Sequence, residues 1–391
     1  MSKQPLRIQE ALRKGGDLDK LCVNHSIRYI QHPKYPNLMW FMHKGYYLQY
    51  PFTSQCRGLI LDRDDNWSVV ARPLDEIPEW NYNYAPQFDW GAKVKPRVFD
   101  KVDGVMVYTY YIKGSIQAWF AGSRKSPIAN NQVDGAPLHE VFWKTFDAMK
   151  YRVPPPKMQD YTFIWELVGP RISPVLTSRA PRDRNQLALL AIRHNETGDE
   201  LDTTEWCSAG DRDYIDVFED TSRFKSIEEV AQVVQETGLK AGEGYVVVGP
   251  DYQRVVVTHP DYDTARQFRQ QLSLAHLVKH ARSREVHDSL LKFAPDWVPL
   301  HTIVAKSYVD LIKRVWAARK RHSGVLDNEL YEKVVAQYPW SDVLIKIRRL
   351  QQEAAPGAIK VTVSEVLQEM DPAEVLGWLE VPGTDDQAEA A

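Results

Sequence analysis

Three residues with chemical potential lie together at the start of a long apolar run: Lys101, Asp103 and Gly104 in the segment FDKVDGVMVYTYY. A deprotonated lysine amine can attack the α-phosphate of a nucleotide and form a phosphoramidate bond. A free lysine has a pKa near 10.4, so such a nucleophile needs neighbouring cations or desolvation around it. By itself the pattern is also typical of an ordinary turn with a surface lysine. Other parts of the sequence are needed to distinguish this from a nucleophile at a nucleotide site.

Three further charged residues accompany apolar, β-like segments. Arg57 opens RGLILD, Glu166 lies within FIWELVGP, and Glu243 opens GYVVVG. An arginine binds phosphate with its planar fork, and a carboxylate in a buried strand is costly unless it is paired or bound to a ligand. A glutamate at a pocket mouth is suited to holding hydrated Mg²⁺. The alternatives, a surface arginine and an ordinary acidic residue before a strand, stay open.

The segments that carry these residues are predicted to be strands joined by turns, from about residue 28 to 258. Two apolar runs around a turn indicate a hairpin, and four segments have this pattern: GLILDRDDNWSVVARP, VMVYTYYIKGSIQAWFA, LALLAIRHNETGDEL and GYVVVGPDYQRVVVT. Helical spacing occurs in PLHEVFWKTFDAMKY and SIEEVAQVVQETG. The predicted fold class is therefore α+β, with antiparallel sheets and interspersed helices.

After Tyr262, segments with helical spacing replace the strands. In IVAKSYVDLIKRVWAARKRH, apolar residues recur on one helical face, and we expect Trp316 to lie in the core with them. The sequence predicts one domain over 1–262, an all-α domain over 263–380, and a disordered acidic tail over 381–391.

Composition excludes several classes of protein. The chain has 391 residues and a formal net charge of −3, so it is not a polycation that coats nucleic acid, although a local basic groove is compatible with this balance. No apolar run approaches the roughly 20 residues of a membrane-spanning helix, and the N-terminus lacks a secretion signal. Three separated cysteines argue against a disulfide framework. We therefore expect a cytoplasmic protein with no membrane segment.

The sequence contains no Walker-type glycine loop, dinucleotide fingerprint, CxxC pair or HExxH motif. Instead, short motifs follow one another in a definite order: CRGLILD, ARPL, KVDG, ELVGP, HNETGDEL and EGYVVV. In this order and at close to this spacing they resemble the ATP-dependent single-strand RNA ligases of the T-even bacteriophage type, within the covalent nucleotidyltransferase superfamily. The resemblance covers about residues 28–262 through motifs and the rest through layout, because that family also has a helical C-terminal domain.

The resemblance implies a role for each matching residue. Lys101 would become covalently attached to AMP from ATP, and Asp103 and Gly104 of the same motif would line the nucleotide site. Arg57 would lie near the nucleotide sugar and phosphate.

The remaining roles also come from the resemblance. Glu166 would bind the ribose hydroxyls, and Glu243 would place Mg²⁺, or Mn²⁺ in its stead. Arg124 in AGSRKS matches a basic residue that follows the family's hairpin. The implied activity joins the 5′-phosphate and 3′-hydroxyl ends of single-stranded RNA, such as a nicked tRNA, and favours a phage or bacterial RNA-repair setting, in the host cytoplasm if phage-encoded.

The chain departs from this family where positive charge is expected. After EGYV the family has two lysines in a K-x-K arrangement that neutralise the triphosphate, and the corresponding residues here are Val256 and Thr258. Arg254 lies on the same strand face and is the predicted substitute, although its guanidinium binds phosphate with a different geometry. The family's lysine after RP is likewise replaced by Asp75 and Glu76.

These departures leave three hypotheses. The first is an RNA ligase with Lys101 as nucleophile, and the second is a nucleotidyltransferase of the same superfamily with a different acceptor. The third is a catalytically weakened RNA-binding protein on a ligase scaffold, because losing cations that stabilise a transition state costs several kcal/mol.

A basic cluster in the helical region has two interpretations. It consists of Lys313, Arg314, Arg319, Lys320, Arg321 and His322. Such a cluster would hold RNA phosphates, with Trp316 stacking on a base. It is equally explained by a solvated helix face whose cations complement the C-terminal end of the helix dipole, and the pattern slightly favours this explanation.

Overall fold

The computed structural model describes residues 6–43, 51–113, 117–173, 175, 183–203, 218–219, 223–239, 241–353 and 362–379. The chain divides into two compact units, Met1–Asp263 and Thr264–Ala391. Every strand among the described residues belongs to the first unit, and the second is helical. The predicted tail over 381–391 lies outside the described residues, and its disorder stays a prediction.

The described strands of the first unit pair antiparallel in four sheets. Sheet 1 contains, in order, β1 (Ile27–His32), β2 (Tyr35–His43), β3 (Arg57–Asp62) and β4 (Ser68–Ala71). Sheet 2 contains, in order across it, β12 (Glu200–Leu201), β11 (Gln186–His194), β10 (Tyr161–Val168), β6 (Val105–Ile112) and β7 (Ala118–Ser123). Sheet 3 contains β13 (Phe218–Glu219), β5 (Arg97–Asp100), β14 (Gly244–Val248) and β15 (Arg254–Thr258). A small ribbon pairs β8 (Gln132–Val133) with β9 (Ala136–Pro137).

Among the residues that the structure describes, helices occur in both units. Those that begin in the first unit are α1 (Arg7–Arg13), α2 (Leu18–Asn24), α3 (Pro51–Gln55), α4 (Leu138–Ala148), α5 (Ile227–Thr237) and α6 (Tyr262–Gln271). The second unit has α7 (Leu274–Lys279), α8 (Arg284–Phe293), α9 (Val298–Arg321), α10 (Asn328–Val335), α11 (Ser341–Glu353), α12 (Val363–Gln368) and α13 (Pro372–Gly377). Short 3₁₀ turns cover Pro156–Met158 and Pro295–Trp297. Several helices begin with a capping side chain, as where Ser226 accepts a hydrogen bond from the Glu229 amide before α5.

Successive side chains of β10 point to opposite faces of sheet 2, and the two faces pack against different elements. Trp165 and its alternate neighbours pack against α4, where Phe142 and Phe146 are buried. Ile164 faces the other way and packs against sheet 1, beside Trp40. Because strand side chains alternate with a period of two, Glu166 lies on the same face as Ile164.

A buried ion triad joins sheet 2 to sheet 3. Glu200 of β12 binds Arg193 of β11 at 3.1 Å and Arg254 of β15 at 2.5 Å. The three side chains are 4%, 7% and 8% exposed, respectively. The hydroxyl of Tyr252 also donates to the Glu200 carbonyl, at 2.9 Å. The relative position of these two sheets therefore depends on a desolvated group of charges.

The α+β fold class is confirmed, with antiparallel sheets followed by helices. All four predicted hairpins form, as β3–β4, β6–β7, β11–β12 and β14–β15. Within the hairpin segment VMVYTYYIKGSIQAWFA, Gly114 and Ser115 between the two strands lie outside the described residues. Cys22 and Cys56 are free thiols, while Cys207 is not among the described residues. Within the described parts of the chain, no helix combines the length and apolarity that a membrane crossing requires.

The second unit has its own hydrophobic core, to which α9 contributes one face. The buried residues of α9 include Val304, Tyr308, Leu311 and Val315. The prediction that Trp316 joins them is wrong, because its side chain is 54% exposed. At about 100° per residue, Trp316 lies roughly 120° around the helix from the centre of that buried face.

Candidate active site

Lys101 lies where the chain crosses from sheet 3 to sheet 2. Strand β5 ends at Asp100, and the Lys101 amide donates to the Gly244 carbonyl of β14 at 2.9 Å. Strand β6 of sheet 2 begins at Val105. The lysine therefore occupies the junction of the two sheets, which is why a short motif can meet residues from both.

Each of these sheets brings a glutamate to Lys101. Glu166 lies on β10 opposite Met106 of β6. Glu243 directly precedes β14, and its carboxylate accepts a hydrogen bond from the Lys101 ammonium group. The Glu243 side chain is 7% exposed and that of Lys101 is 26% exposed. The structure thus brings together three residues that are far apart in the sequence.

The electrostatic environment raises the pKa of Glu166. Burial is the main cause and raises it to about 8; the charges of Glu243 and Asp103 add to the effect, whereas Lys101 opposes it. The carboxyl group is therefore mostly protonated at pH 7. In that form it both donates and accepts hydrogen bonds, which suits it to a hydroxyl group of a ligand.

Glu166 makes the free energy of unfolding depend on pH. A carboxyl whose pKa is raised in the folded state holds a proton that the unfolded chain has lost. We expect stability to fall as the pH rises from about 5 to about 8, with a slope of at most about 1.4 kcal/mol per pH unit. Urea unfolding at several pH values measures this slope. Glu166→Gln should flatten it, and an unchanged slope would contradict the pKa assignment.

Asp103 and Gly104 position the Lys101 segment. The Asp103 carboxylate accepts hydrogen bonds from the Tyr262 hydroxyl at 2.5 Å and from the Val175 amide at 3.0 Å. Its carbonyl accepts one from the Ser173 hydroxyl at 2.6 Å. A Cβ at Gly104 would lie 2.3 Å from the Leu167 carbonyl oxygen, so only glycine fits beside β10. Both residues therefore hold the backbone that carries Lys101.

Tyr262 is a site residue that the sequence reasoning did not identify. Besides its bond to Asp103, its ring centroid lies 5.8 Å from the Lys101 Nζ. It is 3% exposed. The sequence does not distinguish a site residue from a boundary residue at this position, because Tyr262 lies at the predicted start of the helical region.

Arg57 and Arg124 lie close to one another beside this group. The Arg57 Nε is 2.8 Å from Glu76 Oε2, and the His43 ring nitrogen is 3.3 Å from the same oxygen. Arg124 is exposed, and its charge acts on both Arg57 and Glu76. Burial acts to raise the pKa of Glu76, but the hydrogen bond with His43 and the two arginine charges hold it below its usual value. Glu76 therefore neutralises part of the charge that Arg57 would offer a phosphate.

Arg254 is not brought to Lys101. It pairs with Val248 at the far end of β14, whereas Thr258 pairs with Gly244 beside the lysine. Four strand residues separate Arg254 from Thr258, or about 13 Å. The Arg254 guanidinium instead binds both Glu200 oxygens, at 2.8 and 2.5 Å. Its expected substitution for the missing lysines is thus not supported, because the register and a buried carboxylate hold it elsewhere.

The two positions that lack lysines have other contacts. Val256 is 8% exposed, and its amide donates to the Pro78 carbonyl at 2.9 Å. The Thr258 hydroxyl donates to Glu79 at 2.5 Å. The segment that contains Glu79 thus lies along β15 and adds a negative charge where the resemblance led us to expect positive ones.

Glu243 is the residue suited to holding a divalent cation. No group of three or more His, Cys, Asp and Glu side chains with a metal-binding arrangement occurs among the described residues. Mg²⁺ is commonly held by one or two carboxylates together with substrate phosphates and waters. A single glutamate side chain fits that requirement, whereas Glu166, with its raised pKa, is a poor ligand at neutral pH.

Comparison with known proteins gives only distant structural similarity. No protein-family model and no curated protein matches the sequence. An archaeal ATP-dependent RNA ligase is 12% identical, with 79% of this chain and 82% of that one covered and a TM-score of 0.41. A putative ATP-dependent DNA ligase from Aquifex aeolicus is also 12% identical, with 89% and 87% covered and a TM-score of 0.41. A Naegleria gruberi RNA ligase variant with ATP and Mn is 13% identical, with 50% and 64% covered and a TM-score of 0.33. Similarity at this level does not assign the chain to a family.

Proposed function

We propose that this protein is an ATP-dependent RNA ligase that joins 5′-phosphate and 3′-hydroxyl RNA ends through a lysyl-AMP intermediate on Lys101. The observation that carries the proposal is the convergence on one lysine of two glutamates, Glu166 and Glu243, from different sheets. The sequence motifs KVDG, ELVGP and EGYVVV contain the same three residues. An ordinary turn lysine would not be expected to lie between them.

In this proposal Lys101 is the nucleophile of the first step. In its deprotonated form, its Nζ attacks the α-phosphorus of ATP, a P–N bond forms as the amine loses a further proton, and the bond to the β-phosphate oxygen breaks as pyrophosphate leaves. A 5′-phosphate oxygen of RNA then attacks the same phosphorus, the P–N bond breaks, and the lysine amine regains a proton. The 3′-hydroxyl finally attacks the RNA 5′-phosphorus, losing its proton as AMP leaves.

The surrounding residues have distinct roles in these steps. Glu243 holds the Lys101 side chain in place, and its carboxylate would hold a hydrated Mg²⁺ or Mn²⁺. When bound, the metal ion supplies positive charge to the phosphate oxygens. Glu166, protonated at neutral pH, hydrogen-bonds a ribose hydroxyl. Arg57 and Arg124 contribute charge on the sheet 1 side of the site.

The second candidate function is a weaker form of this nucleotidyl-transfer activity. The acidic residues Glu76 and Glu79 beside the candidate site favour it. Glu76 binds Arg57, Glu79 binds Thr258, and the chain has no lysine at 256 or 258. Missing cations around a transferring phosphate cost several kcal/mol. The chain would then be a slow ligase, a nucleotidyltransferase with another acceptor, or an RNA-binding protein on the same scaffold.

A labelled-nucleotide experiment tests the proposal. The protein is incubated with ATP or GTP carrying label on the α-phosphate, with Mg²⁺ or Mn²⁺, and run on a denaturing gel. We expect a covalent band with ATP, and circularisation of a 5′-phosphorylated single-stranded RNA such as a nicked tRNA fragment. A covalent band without RNA joining favours another acceptor. No band with any nucleotide or metal would leave only the RNA-binding candidate.

A cytoplasmic location, in the host cell if the protein is phage-encoded, is part of the same proposal, because ATP and broken RNA are both found there.

A further inference from the structure

Trp316 is held in an exposed position by the packing of its own helix. Val315 is fully buried and Ala318 is 5% exposed, so the rotation of α9 about its axis is fixed by the core. Trp316 itself is 54% exposed. A large aromatic ring held in solvent by a rigid helix is ready to receive a flat ligand without rearrangement.

Lysines flank the tryptophan along the same outer face. Lys306, Lys313 and Lys320 are all exposed and follow one another at intervals of seven residues. Two helical turns separate each pair, or about 10.5 Å along the axis. Val309 lies between the first two and is 39% exposed. We call these five residues (Lys306, Val309, Lys313, Trp316 and Lys320) the lysine–tryptophan face.

The helix dipole does not explain this arrangement. Its effect is confined to the last turn, which here contains Arg319, Lys320 and Arg321. Lys306 and Lys313 lie more than one turn from that end. Some of the other basic residues of this region have internal partners, since Arg314 donates to the Trp378 carbonyl at 3.1 Å. The positions of Lys306 and Lys313 are therefore not explained by the helix dipole.

We propose that the lysine–tryptophan face binds a single-stranded polynucleotide, with the lysines on successive backbone phosphates and one unpaired base stacked on Trp316. Regularly spaced cations beside an exposed indole complement a chain of phosphates that carries aromatic bases. Two exposed apolar side chains, Val309 and Trp316, are too few to anchor a helix in a lipid surface, which requires a broad apolar face. This binding is independent of nucleotide transfer at Lys101.

Existing contacts on this face are weak enough to be exchanged. The Lys320 Nζ lies 5.5 Å from the centroid of the Trp316 ring. The Lys313 Nζ lies 3.0 Å from Asp310, and both side chains are more than half exposed. Exposed ion pairs contribute little, so Lys313 can turn to a phosphate. The negative charge of Asp310 opposes phosphate binding at this point.

Variants of the full chain test the proposal with fluorescently labelled oligouridine and oligodeoxythymidine. Lys306, Lys313 and Lys320 are replaced together by Ala, and Lys279, Lys292 and Lys333 are replaced together as a control. The control lysines are also exposed and lie in the same unit, and the charge change is equal. Trp316→Ala and Trp316→Phe test stacking separately.

We expect the outer-lysine variant to reduce the slope of log K against log salt by about 2, since each phosphate contact contributes about 0.7 for single strands. Trp316→Ala should weaken binding by about 10-fold or more and Trp316→Phe by less. The control-lysine variant should leave affinity and slope near the wild-type values. Loss in the control equal to that in the outer-lysine variant would overturn the proposal, as would undetectable wild-type binding at low salt. Binding to vesicles with 30% phosphatidylserine that depends on these same residues would identify a lipid surface as the ligand instead.

Discussion

Lys101→Ala is expected to reduce the amount of protein labelled from α-phosphate-labelled ATP by about 10⁴-fold or more. The variant has no amine at this position to form the P–N bond. Lys101→Arg should fail equally, since a guanidinium stays protonated and does not act as a nucleophile at neutral pH. Arginine nevertheless keeps the positive charge beside Glu243. The pair of variants thus separates the need for a nucleophile from the need for a cation.

Lys144→Ala is the matched control for this prediction. Lys144 is an exposed lysine of α4 in the same unit, and its replacement should leave labelling unchanged. Mass spectrometry of the labelled protein should place AMP on Lys101. Labelling that survives both Lys101 variants, or AMP found on another lysine, would rule out the proposed nucleophile. The proposal for the lysine–tryptophan face is tested by RNA affinity and not by covalent labelling. A negative labelling result would therefore not contradict it.

Glu200→Ala is expected to lower the free energy of unfolding of the first unit by roughly 3–5 kcal/mol. The substitution leaves two buried guanidinium groups without their shared carboxylate. Among the described residues, Arg193 keeps Asp75 at 3.0 Å, whereas Arg254 keeps the Tyr252 carbonyl at 2.9 Å. Urea unfolding combined with hydrogen exchange of β11 and β15 amides measures the loss and locates it. A change below about 1 kcal/mol would contradict the prediction.

The same interaction predicts a pH dependence. Burial acts to raise the pKa of Glu200, but the charges of Arg254 and Arg193 together hold it below its ordinary value. A carboxyl with a lowered pKa stabilises the fold above its ordinary pKa and loses that contribution as the pH falls through its folded-state pKa. The difference between wild type and Glu200→Ala should therefore shrink on acidification below about pH 4.5.

Arg254→Ala is the informative comparison for Glu200→Ala. It should destabilise less, because Glu200 retains Arg193. It should also leave covalent labelling per folded molecule unchanged, since the guanidinium binds Glu200 and not the phosphate side of Lys101. A selective loss of labelling with normal stability would instead restore Arg254 as a substitute for the missing lysines.

The sequence alone determined the fold class and the hairpins, and it selected the candidate site residues. These features depend on short-range patterns: alternation over a few residues, turn-forming pairs, and motifs such as KVDG. Lys101, Glu166 and Glu243 could be chosen because each lies at a charged position beside an apolar strand, and the structure brings all three together.

The tertiary structure decided how charge is distributed among these residues. Lys101 and Glu243 are 142 residues apart in the sequence, and Arg254 and Glu200 are 54 apart. Which charged groups meet depends on strand register and on how two sheets pack, and no local pattern specifies either. That is why Arg254, selected for sharing a strand face with Thr258, binds a carboxylate of the neighbouring sheet.

Trp316 shows the same limit in a helix. Its spacing from other apolar residues was compatible with the core, but a helix of 24 residues buries only the stripe that its neighbours cover. The rotation of α9 is determined by Val304, Leu311 and Val315, which are fully buried. The periodicity of the sequence determined that a buried face exists, and only the packing of the unit decided that the tryptophan lies outside it.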